Sequence, residues 1–334
     1  MLTRELDYEL PEELIAQKSA VPRDSSRLMV VDAGERTIRH RAFRDLPRFL
    51  GPGDTLVVNE TKVLPARVAV RRPGGGASEL LFLRSLAAKE DIWEVLARPS
   101  RRLRTGMVLS TGGDELRVVK PLEEGRWVVA GDVRGVLRRR GHLPLPPYVR
   151  ATPEVEREYQ TVYARDEGSA AAPTAGFHFT ERVLGEVEEA GARISRVTLH
   201  VGIGTFSPVR TERLKDHRMH AEHYRVPEET ARAVKDAERV IAVGTTVART
   251  LESWAATGSL EGETELFIYP GYQWRVVDAL LTNFHLPRST LLAMVMAFAG
   301  KELIREAYEV AVKERYRFFS FGDAMLLLQG GSAL

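Results

Sequence analysis

The chain has 334 residues, of which 44% are hydrophobic and none is cysteine. This length favours one large or two ordinary globular domains, and the lack of cysteine excludes disulfides, thiolate zinc sites, a cysteine nucleophile and cysteine-ligated iron–sulfur clusters. The longest apolar run, 291–299, is far shorter than the roughly 20 residues that span a bilayer, and no segment resembles a signal peptide, so we expect a cytoplasmic protein that makes no membrane contact.

The net charge of +2 conceals an uneven distribution of charge along the chain. Residues 63–150 carry 17 Lys or Arg and 9 Asp or Glu, a net charge of +8, while the remainder has a net charge of −6. Such a basic segment suggests a surface for a polyanion, although charge runs often only solvate turns and edge strands. The candidates for nucleic-acid contact are Arg71, Arg72, Arg101, Arg102, Arg104, Arg138, Arg139 and Arg140.

The predicted elements change character along the chain. Strand-like runs, "RLMVVD" at 27–32 and "DTLVVN" at 54–59, come first. From 63 to about 145 short alternating segments are separated by turns, with almost no helical periodicity, which is typical of a small barrel or sandwich. The proline-rich "LPLPPY" at 143–148 reads as its exit linker.

After residue 150 strands and helices alternate. Helices are predicted over 180–191, 227–238, 290–300 and 301–316, with Thr180 and Ser289 as N-caps, and strands over 193–201, 239–244, 265–270 and 276–282. We therefore predict an α/β fold whose mixed, largely parallel sheet is flanked by helices, with an inserted small β-barrel domain. The predicted boundaries give a discontinuous catalytic domain, 1–62 and 148–334, and a basic barrel, 63–147.

Four predicted strand exits carry polar or glycine residues, and ligands of α/β sheets bind at the carboxyl ends of strands. The Gly-Thr-Thr turn at 244–246 opens a helix, where free amides and two hydroxyls could hold a carboxylate or phosphate; simple N-capping by threonine is the alternative. The exits supply Asn59, Arg67, His200, Gly202, Gly204, Thr205, Gly244, Thr245, Thr246, Asn283 and His285.

The segment "AAPTAGFHFT" at 171–180 sets His178 between two aromatic residues after a run of small ones. Either the segment is a turn whose aromatic side chains pack, or its bare backbone admits a ligand toward which His178 points. For His178, His200 and His285 alike, the alternative to a functional role is a hydrogen-bonded structural imidazole.

The histidine-rich "HRMHAEHY" at 217–224 suggests a metal site at first sight. His217, His220 and His223 are too widely spread on a helix for one ion, and in a strand His220 faces away from the other two, so we predict no metal. His220 and Glu222 could instead act as acid–base or hydrogen-bonding groups.

Ten segments, in order and from the N-terminal third to the C-terminus, resemble one family: the S-adenosylmethionine:tRNA ribosyltransferase-isomerases of queuosine biosynthesis. They are "NETKVLPAR", "LPLPPY", "YQTVYA", "AAPTAGFHFT", "LHVGIGTFSPV", "HRMHAEHY", "VIAVGTT", "FIYPGY", "VDALLTNFHLPRSTLL" and "YRFFSFGDAM". The resemblance implies transfer and rearrangement of the ribosyl moiety of S-adenosylmethionine onto 7-aminomethyl-7-deazaguanine at the tRNA wobble position, giving epoxyqueuosine, adenine and methionine.

The resemblance also implies partners and roles for residues. S-adenosylmethionine is consumed as a co-substrate, no tightly bound cofactor is expected, tRNA is the partner, and we expect a monomer. The implied catalytic residues are His178, His200, His220, Glu222 and His285; Thr245 and Thr246 would hold the methionine carboxylate. The remaining implied substrate-binding residues are Asn59, Arg67, Thr174, Gly176, Phe177, Phe179, Gly202, Gly204, Thr205, Gly244, Asn283 and Asp323.

Two other classes of function remain open. Another S-adenosylmethionine-dependent RNA-modifying enzyme, such as a methyltransferase, would release S-adenosylhomocysteine instead of adenine and methionine. A non-catalytic RNA-binding protein would explain the basic segment, but it gives no reason for histidines at strand exits.

Overall fold

The computed structural model describes residues 1–87, 91–202 and 209–330. The chain forms two compact units. The first unit comprises Met1–Thr61, Pro147–Arg165 and Pro173–Leu334, and the second comprises Lys62–Pro146 and Asp166–Ala172.

The described residues include seventeen strands and seven α-helices. The strands are β1 (Arg27–Asp32), β2 (Thr37–Ala42), β3 (Asp54–Asn59), β4 (Thr61–Val63), β5 (Arg67–Arg71), β6 (Ala77–Ala87), β7 (Ile92–Arg98), β8 (Val108–Thr111), β9 (Asp114–Pro121), β10 (Arg126–Gly131), β11 (Asp166–Ser169), β12 (Arg193–Leu199), β13 (Glu222–Arg225), β14 (Arg239–Val243), β15 (Glu261–Thr264), β16 (Ala279–Asn283) and β17 (Ala324–Leu328). The helices are α1 (Val133–Arg140), α2 (Pro153–Glu158), α3 (Glu181–Glu189), α4 (Glu228–Asp236), α5 (Thr245–Thr257), α6 (Thr290–Ala299) and α7 (Lys301–Lys313).

The first unit is built on a nine-stranded mixed sheet with the order β15-β13-β12-β3-β14-β16-β17-β1-β2. The block β12-β3-β14-β16 is parallel throughout, and antiparallel pairs flank it on both sides. Every residue of β3 and β16 is buried, as expected for strands covered on both faces. The predicted α/β fold with a mixed sheet is confirmed.

Local sequence signals explain where several helices begin. The Thr180 hydroxyl accepts a hydrogen bond from the Val183 amide, and the Ser289 hydroxyl accepts one from the Leu292 amide, so both predicted N-caps are confirmed. Helix α5 begins directly after Gly244, whose φ of 92° is a backbone conformation that suits glycine.

The second unit contains a closed six-stranded barrel with the order β10-β7-β6-β5-β8-β9. Alternate residues along its strands fill the interior, as β5 shows with Val68 and Val70 buried between exposed or half-buried neighbours. The predicted small β-barrel is confirmed. Strands β4 and β11 form a separate two-stranded sheet.

Two predictions about elements are wrong. Residues 265–270 are not a strand: β15 ends at Thr264, and the Leu266 carbonyl turns toward the Arg249 side chain instead of a neighbouring strand. The basic segment is not free of helix, because Asp132 caps α1 by accepting a hydrogen bond from the Gly135 amide.

Within the described ranges, no helix combines the length and apolarity that a membrane crossing would require.

Candidate active site

Four neighbouring strands place polar residues along one edge of the sheet. Because β12, β3, β14 and β16 are adjacent and parallel, their carboxyl ends meet at the same edge. The predicted exit residues of the first unit therefore lie along this edge, which we call the carboxyl edge: Asn59, His200, Gly202, Gly244, Thr245, Thr246 and Asn283.

Asn59 connects three of these strand exits. Its side-chain oxygen accepts hydrogen bonds from the amides of Thr61 (3.1 Å) and Leu199 (3.2 Å). Its side-chain nitrogen donates to the Leu199 carbonyl (3.0 Å) and to the Thr246 hydroxyl (3.2 Å). Asn59 is fully buried, so it fixes the ends of β3 and β12 against the start of α5.

The loop that carries His178 lies against the same edge. Residues Thr174–His178 form a 3-10 helix, and a Cβ added to Gly244 would lie 3.4 Å from the Ala175 Cβ. This contact brings the Thr174 segment to the N-terminus of α5. The two segments are 70 residues apart in sequence, and it is the packing of the fold that brings them together.

Hydrogen bonds hold the His178 ring at both nitrogens. The Ser26 hydroxyl lies 2.7 Å from Nδ1, and the Asn283 Oδ1 lies 3.4 Å from Nε2. Since the Asn283 side-chain nitrogen donates to the Phe319 carbonyl (2.8 Å), its oxygen is the acceptor facing His178, which favours a proton on Nε2. The ring also stacks on Phe43, and its burial lowers the pKa of His178 to about 4.

Asp323 has a structural set of partners. Its carboxylate accepts hydrogen bonds from the backbone amides of Arg27 and Arg317 and from the Arg317 guanidinium. These bonds join the starts of β1 and β17. Asp323 also raises the pKa of His178, against the larger effect of burial, so it lies close enough to influence that ring.

His285 follows β16 and is buried, with hydrogen bonds at its ring and at its backbone. Its Nε2 is 2.9 Å from the Thr282 hydroxyl, its amide donates to the Tyr308 hydroxyl, and its carbonyl accepts from the Tyr8 hydroxyl. Burial lowers the pKa of His285 to about 3. This environment favours the structural alternative for His285.

Glu222 is the buried carboxylate of the site, and Arg249 is its partner. Glu222 begins β13, forms an ion pair with the Arg249 guanidinium and accepts a hydrogen bond from the Gly202 amide (2.7 Å). Both side chains of the ion pair are 3% exposed. Arg249 was not among the residues predicted from the sequence. An arginine in the first turns of the helix that follows the Gly-Thr-Thr turn was a usable signal.

His200 and His220 differ in their surroundings. The His200 Nδ1 lies 2.8 Å from the Thr61 hydroxyl, and its ring stacks on His223 with centroids 6.4 Å apart. His220 is exposed in the irregular segment before β13, whereas Glu222 is buried. The two polar side chains of the "MHAE" segment therefore lie in different environments.

The phenylalanines beside His178 belong to the core. Phe177 stacks on Phe321 and packs edge-on against Tyr159, while Phe179 is fully buried and packs edge-on against Phe43. This packing favours structural roles over stacking on a base.

Gly176 makes room for a protein side chain. A Cβ at this position would lie 2.0 Å from the Tyr163 hydroxyl oxygen and 2.7 Å from the Thr161 Cγ2. The space beside the backbone of Gly176 is therefore occupied by the side chain of Tyr163.

Some predicted site residues lie elsewhere. Gly204 and Thr205 fall outside the described residues. Thr174 is half-buried at the start of its 3-10 helix. Arg67 belongs to the second unit, where its guanidinium lies 3.9 Å from Glu79 and donates to the Leu145 carbonyl.

The three arginine clusters all lie in the second unit, and all of these arginines except the half-buried Arg72 are exposed. Their charges are not equally available. Arg139 forms ion pairs with Asp114 (2.7 Å) and Asp132 (2.9 Å), whereas Arg138, one residue earlier on α1, is exposed. Arg140 donates to the Gly112 carbonyl (2.7 Å).

Among the residues that the structure describes, no three His, Asp or Glu side chains come together as a set that could hold a metal ion. His217 follows a 3-10 helix and His223 lies within β13, so the three clustered histidines share neither one helix nor one strand.

Comparison with known proteins identifies the family. Residues 3–327 match the family model described as "Queuosine biosynthesis protein". This chain belongs to the queuosine biosynthesis protein family. The resemblance read from the ten segments is confirmed.

Relatives of this queuosine biosynthesis protein share its full length. A protein from Rubrobacter xylanophilus named S-adenosylmethionine:tRNA ribosyltransferase-isomerase is 72% identical over 336 residues, covering 100% of both chains. One of the same name from Symbiobacterium thermophilum is 51% identical, covering 98% of this chain and all of its own. The crystal structure of S-adenosylmethionine tRNA ribosyltransferase from Thermotoga maritima is 39% identical, covers 97% of this chain and all of its own, and has a TM-score of 0.57.

Proposed function

We propose that this chain is an S-adenosylmethionine:tRNA ribosyltransferase-isomerase. It transfers the ribosyl moiety of S-adenosylmethionine to 7-aminomethyl-7-deazaguanine at the tRNA wobble position and rearranges it, which yields epoxyqueuosine with release of adenine and methionine. S-adenosylmethionine is consumed as a substrate, and no tightly bound cofactor takes part. The enzyme acts as a cytoplasmic monomer.

One observation supports this proposal above the others: polar groups from four neighbouring parallel strands converge on the carboxyl edge, in a chain whose full-length relatives carry this name. An α/β sheet binds its ligand at such an edge. The edge also supplies a carboxylate, imidazoles and a helix N-terminus. A carboxylate can bind the sulfonium cation of S-adenosylmethionine, a helix N-terminus can bind its carboxylate, and imidazoles can transfer protons.

His178 is the residue we assign to proton transfer with the nucleoside. Burial lowers its pKa to about 4, so at pH 7 the imidazole is neutral with one unprotonated ring nitrogen, and it is a weaker base and a stronger conjugate acid than an ordinary imidazole. The Ser26 hydroxyl can either donate to Nδ1 or accept from it, so the ring can present Nε2 with or without a proton. The 3.4 Å contact with Asn283 is long, and a substrate atom could replace it.

Glu222 and the start of α5 are the groups we assign to the charged parts of S-adenosylmethionine. The Glu222 carboxylate lies near the exit of β12 and would face the sulfonium, with His200 beside it. The first amides of α5, with Thr245 and Thr246, would hold the methionine carboxylate. His220 and His285 remain weaker candidates, because the first is exposed on an irregular segment and the second is enclosed by protein.

The basic second unit is the part we assign to tRNA. Its exposed arginines on α1 and on the turns of the barrel could contact phosphates, and such contacts position a nucleic acid without reading its sequence. The predicted domain boundaries at 63 and 147 serve this assignment, since they enclose all three arginine clusters.

Chromatography of the products tests the proposed reaction. The chain is incubated with S-adenosylmethionine and tRNA that carries 7-aminomethyl-7-deazaguanine, and adenine, methionine and S-adenosylhomocysteine are quantified. We expect adenine and methionine in equal amounts, dependent on the modified tRNA. Release of S-adenosylhomocysteine would instead identify a methyltransferase, and tRNA binding without turnover would identify a binding protein.

A further inference from the structure

Arg249 is enclosed by acceptors on one side of α5. Its Nε donates to the Leu266 carbonyl (3.1 Å), its Nη2 donates to the Thr264 carbonyl (3.2 Å), and its Nη1 forms the ion pair with Glu222. Arg249 is 2% exposed, so its planar guanidinium donates hydrogen bonds to groups of the protein and not to solvent. A buried charge held this way fixes the position of whatever carries the opposite charge.

The ion pair joins β13 and β15 to the exit of β12. Glu222 lies directly opposite Thr264 in the β13–β15 pair, so Arg249 binds the carboxylate on one strand and the carbonyl of its cross-strand partner on the other. The second carboxylate oxygen accepts from the Gly202 amide. Both oxygens of Glu222 are therefore oriented, one by Arg249 and one by the backbone that follows His200.

We infer that Arg249 is a positioning residue, which holds Glu222 as an oriented carboxylate at the exit of β12 and through it fixes the Gly202 amide. This inference rests on the proposed function, because it concerns how Glu222 is presented to the sulfonium substrate. Arg249 itself touches no substrate. The rival explanation is that the ion pair only fastens the edge strands to α5.

The two explanations differ in the pH dependence of turnover. In Arg249→Met the buried carboxyl of Glu222 loses the neighbouring guanidinium, and the loss of a neighbouring cation raises the pKa of a carboxyl. We expect kcat for adenine release to fall ~10²-fold at neutral pH, the loss that a misplaced group can produce. As the pH rises from 6 to 9, kcat should recover in part, because Glu222 regains its charge but not its orientation. The KM for S-adenosylmethionine should change much less than kcat.

A second substitution assigns the new pH dependence to Glu222. The double variant Arg249→Met with Glu222→Gln should keep the low kcat but lose the recovery at high pH, because no carboxyl is left to ionise. Recovery that persists in the double variant would overturn the inference, as would a wild-type pH profile in folded Arg249→Met.

Arg239 provides the matched control. Its guanidinium binds both oxygens of Asp54 and the Phe49 carbonyl in a partly buried ion pair at the opposite, amino edge of the same sheet. Arg239→Met should lower thermal stability while leaving the kcat of the folded enzyme and its pH profile unchanged. If Arg239→Met reproduces the pH profile of Arg249→Met, the effect belongs to general destabilisation and the inference fails.

Arg249→Lys extends the test if the Met variant does not fold. Lysine keeps the charge but lacks the planar fork, so we expect a lowered kcat with a nearly unchanged KM; wild-type kcat in folded Arg249→Lys would contradict the inference. The wild-type chain is assayed in parallel. Its release of adenine and methionine decides the proposed function independently, so failure of one claim is not mistaken for failure of the other.

Discussion

His178 and His285 are two buried imidazoles, one in the 3-10 helix Thr174–His178 and one just after β16, whose roles the sequence did not distinguish. His178 stacks on Phe43 and contacts Asn283 on the carboxyl edge, whereas the backbone of His285 is tied to Tyr8 and Tyr308. The sequence predicted His285 at a strand exit and His178 in a loop of small residues, but the partners that separate their roles come from distant segments. Ser26, for example, is 152 residues from His178.

Replacement of His178 tests its assignment to proton transfer. Its replacement by alanine should lower the rate of adenine release ~10²–10⁴-fold, the usual contribution of a general acid or base. The control is His40→Ala, which removes an imidazole that is also hydrogen-bonded to a hydroxyl, that of Tyr316, on the edge strand β2. Steady-state kinetics on folded variants measures both, and an active His178→Ala enzyme would remove His178 from the mechanism.

Both imidazoles also make stability depend on pH. Burial lowers their folded-state pKa values to about 4 and about 3, below the ordinary value near 6.5, so the unfolded chain binds protons first as the pH falls. Stability is therefore fully present above pH 6.5 and is lost as the pH falls from 6.5 to about 4 for His178 and from 6.5 to about 3 for His285, by about 1.4 kcal/mol per pH unit for each histidine at most.

Urea unfolding at pH 7, 6 and 5 measures this loss. His285→Gln should flatten the dependence on pH, and substitution of the exposed His142 by Gln should leave it unchanged. An equal slope in wild type and His285→Gln would show that His285 does not titrate as its burial implies.

At the scale of elements, the alternation of strands and helices after residue 150 was readable because caps and glycines mark the boundaries. The predicted strand at 265–270 is wrong because a side chain from another element binds the backbone there. The Arg249 guanidinium donates hydrogen bonds to the Thr264 and Leu266 carbonyls. The prediction was also wrong at α1, where Asp132 followed by Val133, Val136 and Leu137 was a helix signal within a barrel-like segment.

Replacement of glycine by alanine should have opposite effects on stability at Gly176 and at Gly185. Gly176→Ala should destabilise the protein by about 1–3 kcal/mol, because the added Cβ meets the Tyr163 hydroxyl and Thr161. Gly185→Ala, in the middle of α3 where a Cβ meets nothing within 4 Å, should stabilise it by about 0.5–1 kcal/mol.

Adding Tyr163→Phe to Gly176→Ala should restore part of the lost stability, since it removes the nearest clashing atom. Denaturant midpoints give all of these values. A neutral Gly176→Ala would mean that the loop is not packed on Tyr163 as described, and that its small residues are open to a ligand.

For the whole molecule, the sequence predicted a basic segment, and the structure shows which of its charges are already matched by carboxylates. Charge counting cannot make this distinction, because Asp114 is 25 residues from Arg139 in sequence yet neutralises it in the fold. The counted charge of the segment therefore overstates the charge that its arginines offer to a polyanion.

Arg138 and Arg139 test this difference. Arg138→Ser should weaken tRNA binding and flatten the slope of log affinity against log salt by roughly one unit or somewhat less if one phosphate contact is lost. Arg139→Ser should change the slope less, because Asp114 and Asp132 already balance its charge. S-adenosylmethionine affinity is the control and should not move; unchanged tRNA binding in Arg138→Ser and in matching variants of the other clusters would remove the tRNA assignment.

In the proposed reaction, the ribosyl carbons of S-adenosylmethionine end on tRNA. Two preparations of S-adenosylmethionine, one labelled in the ribose carbons and one in the methyl group, are each incubated with the chain and tRNA bearing 7-aminomethyl-7-deazaguanine. We expect to recover the ribose label in the tRNA and the methyl label in free methionine. Methyl label in the tRNA, with the ribose label left in S-adenosylhomocysteine, would contradict the proposed reaction.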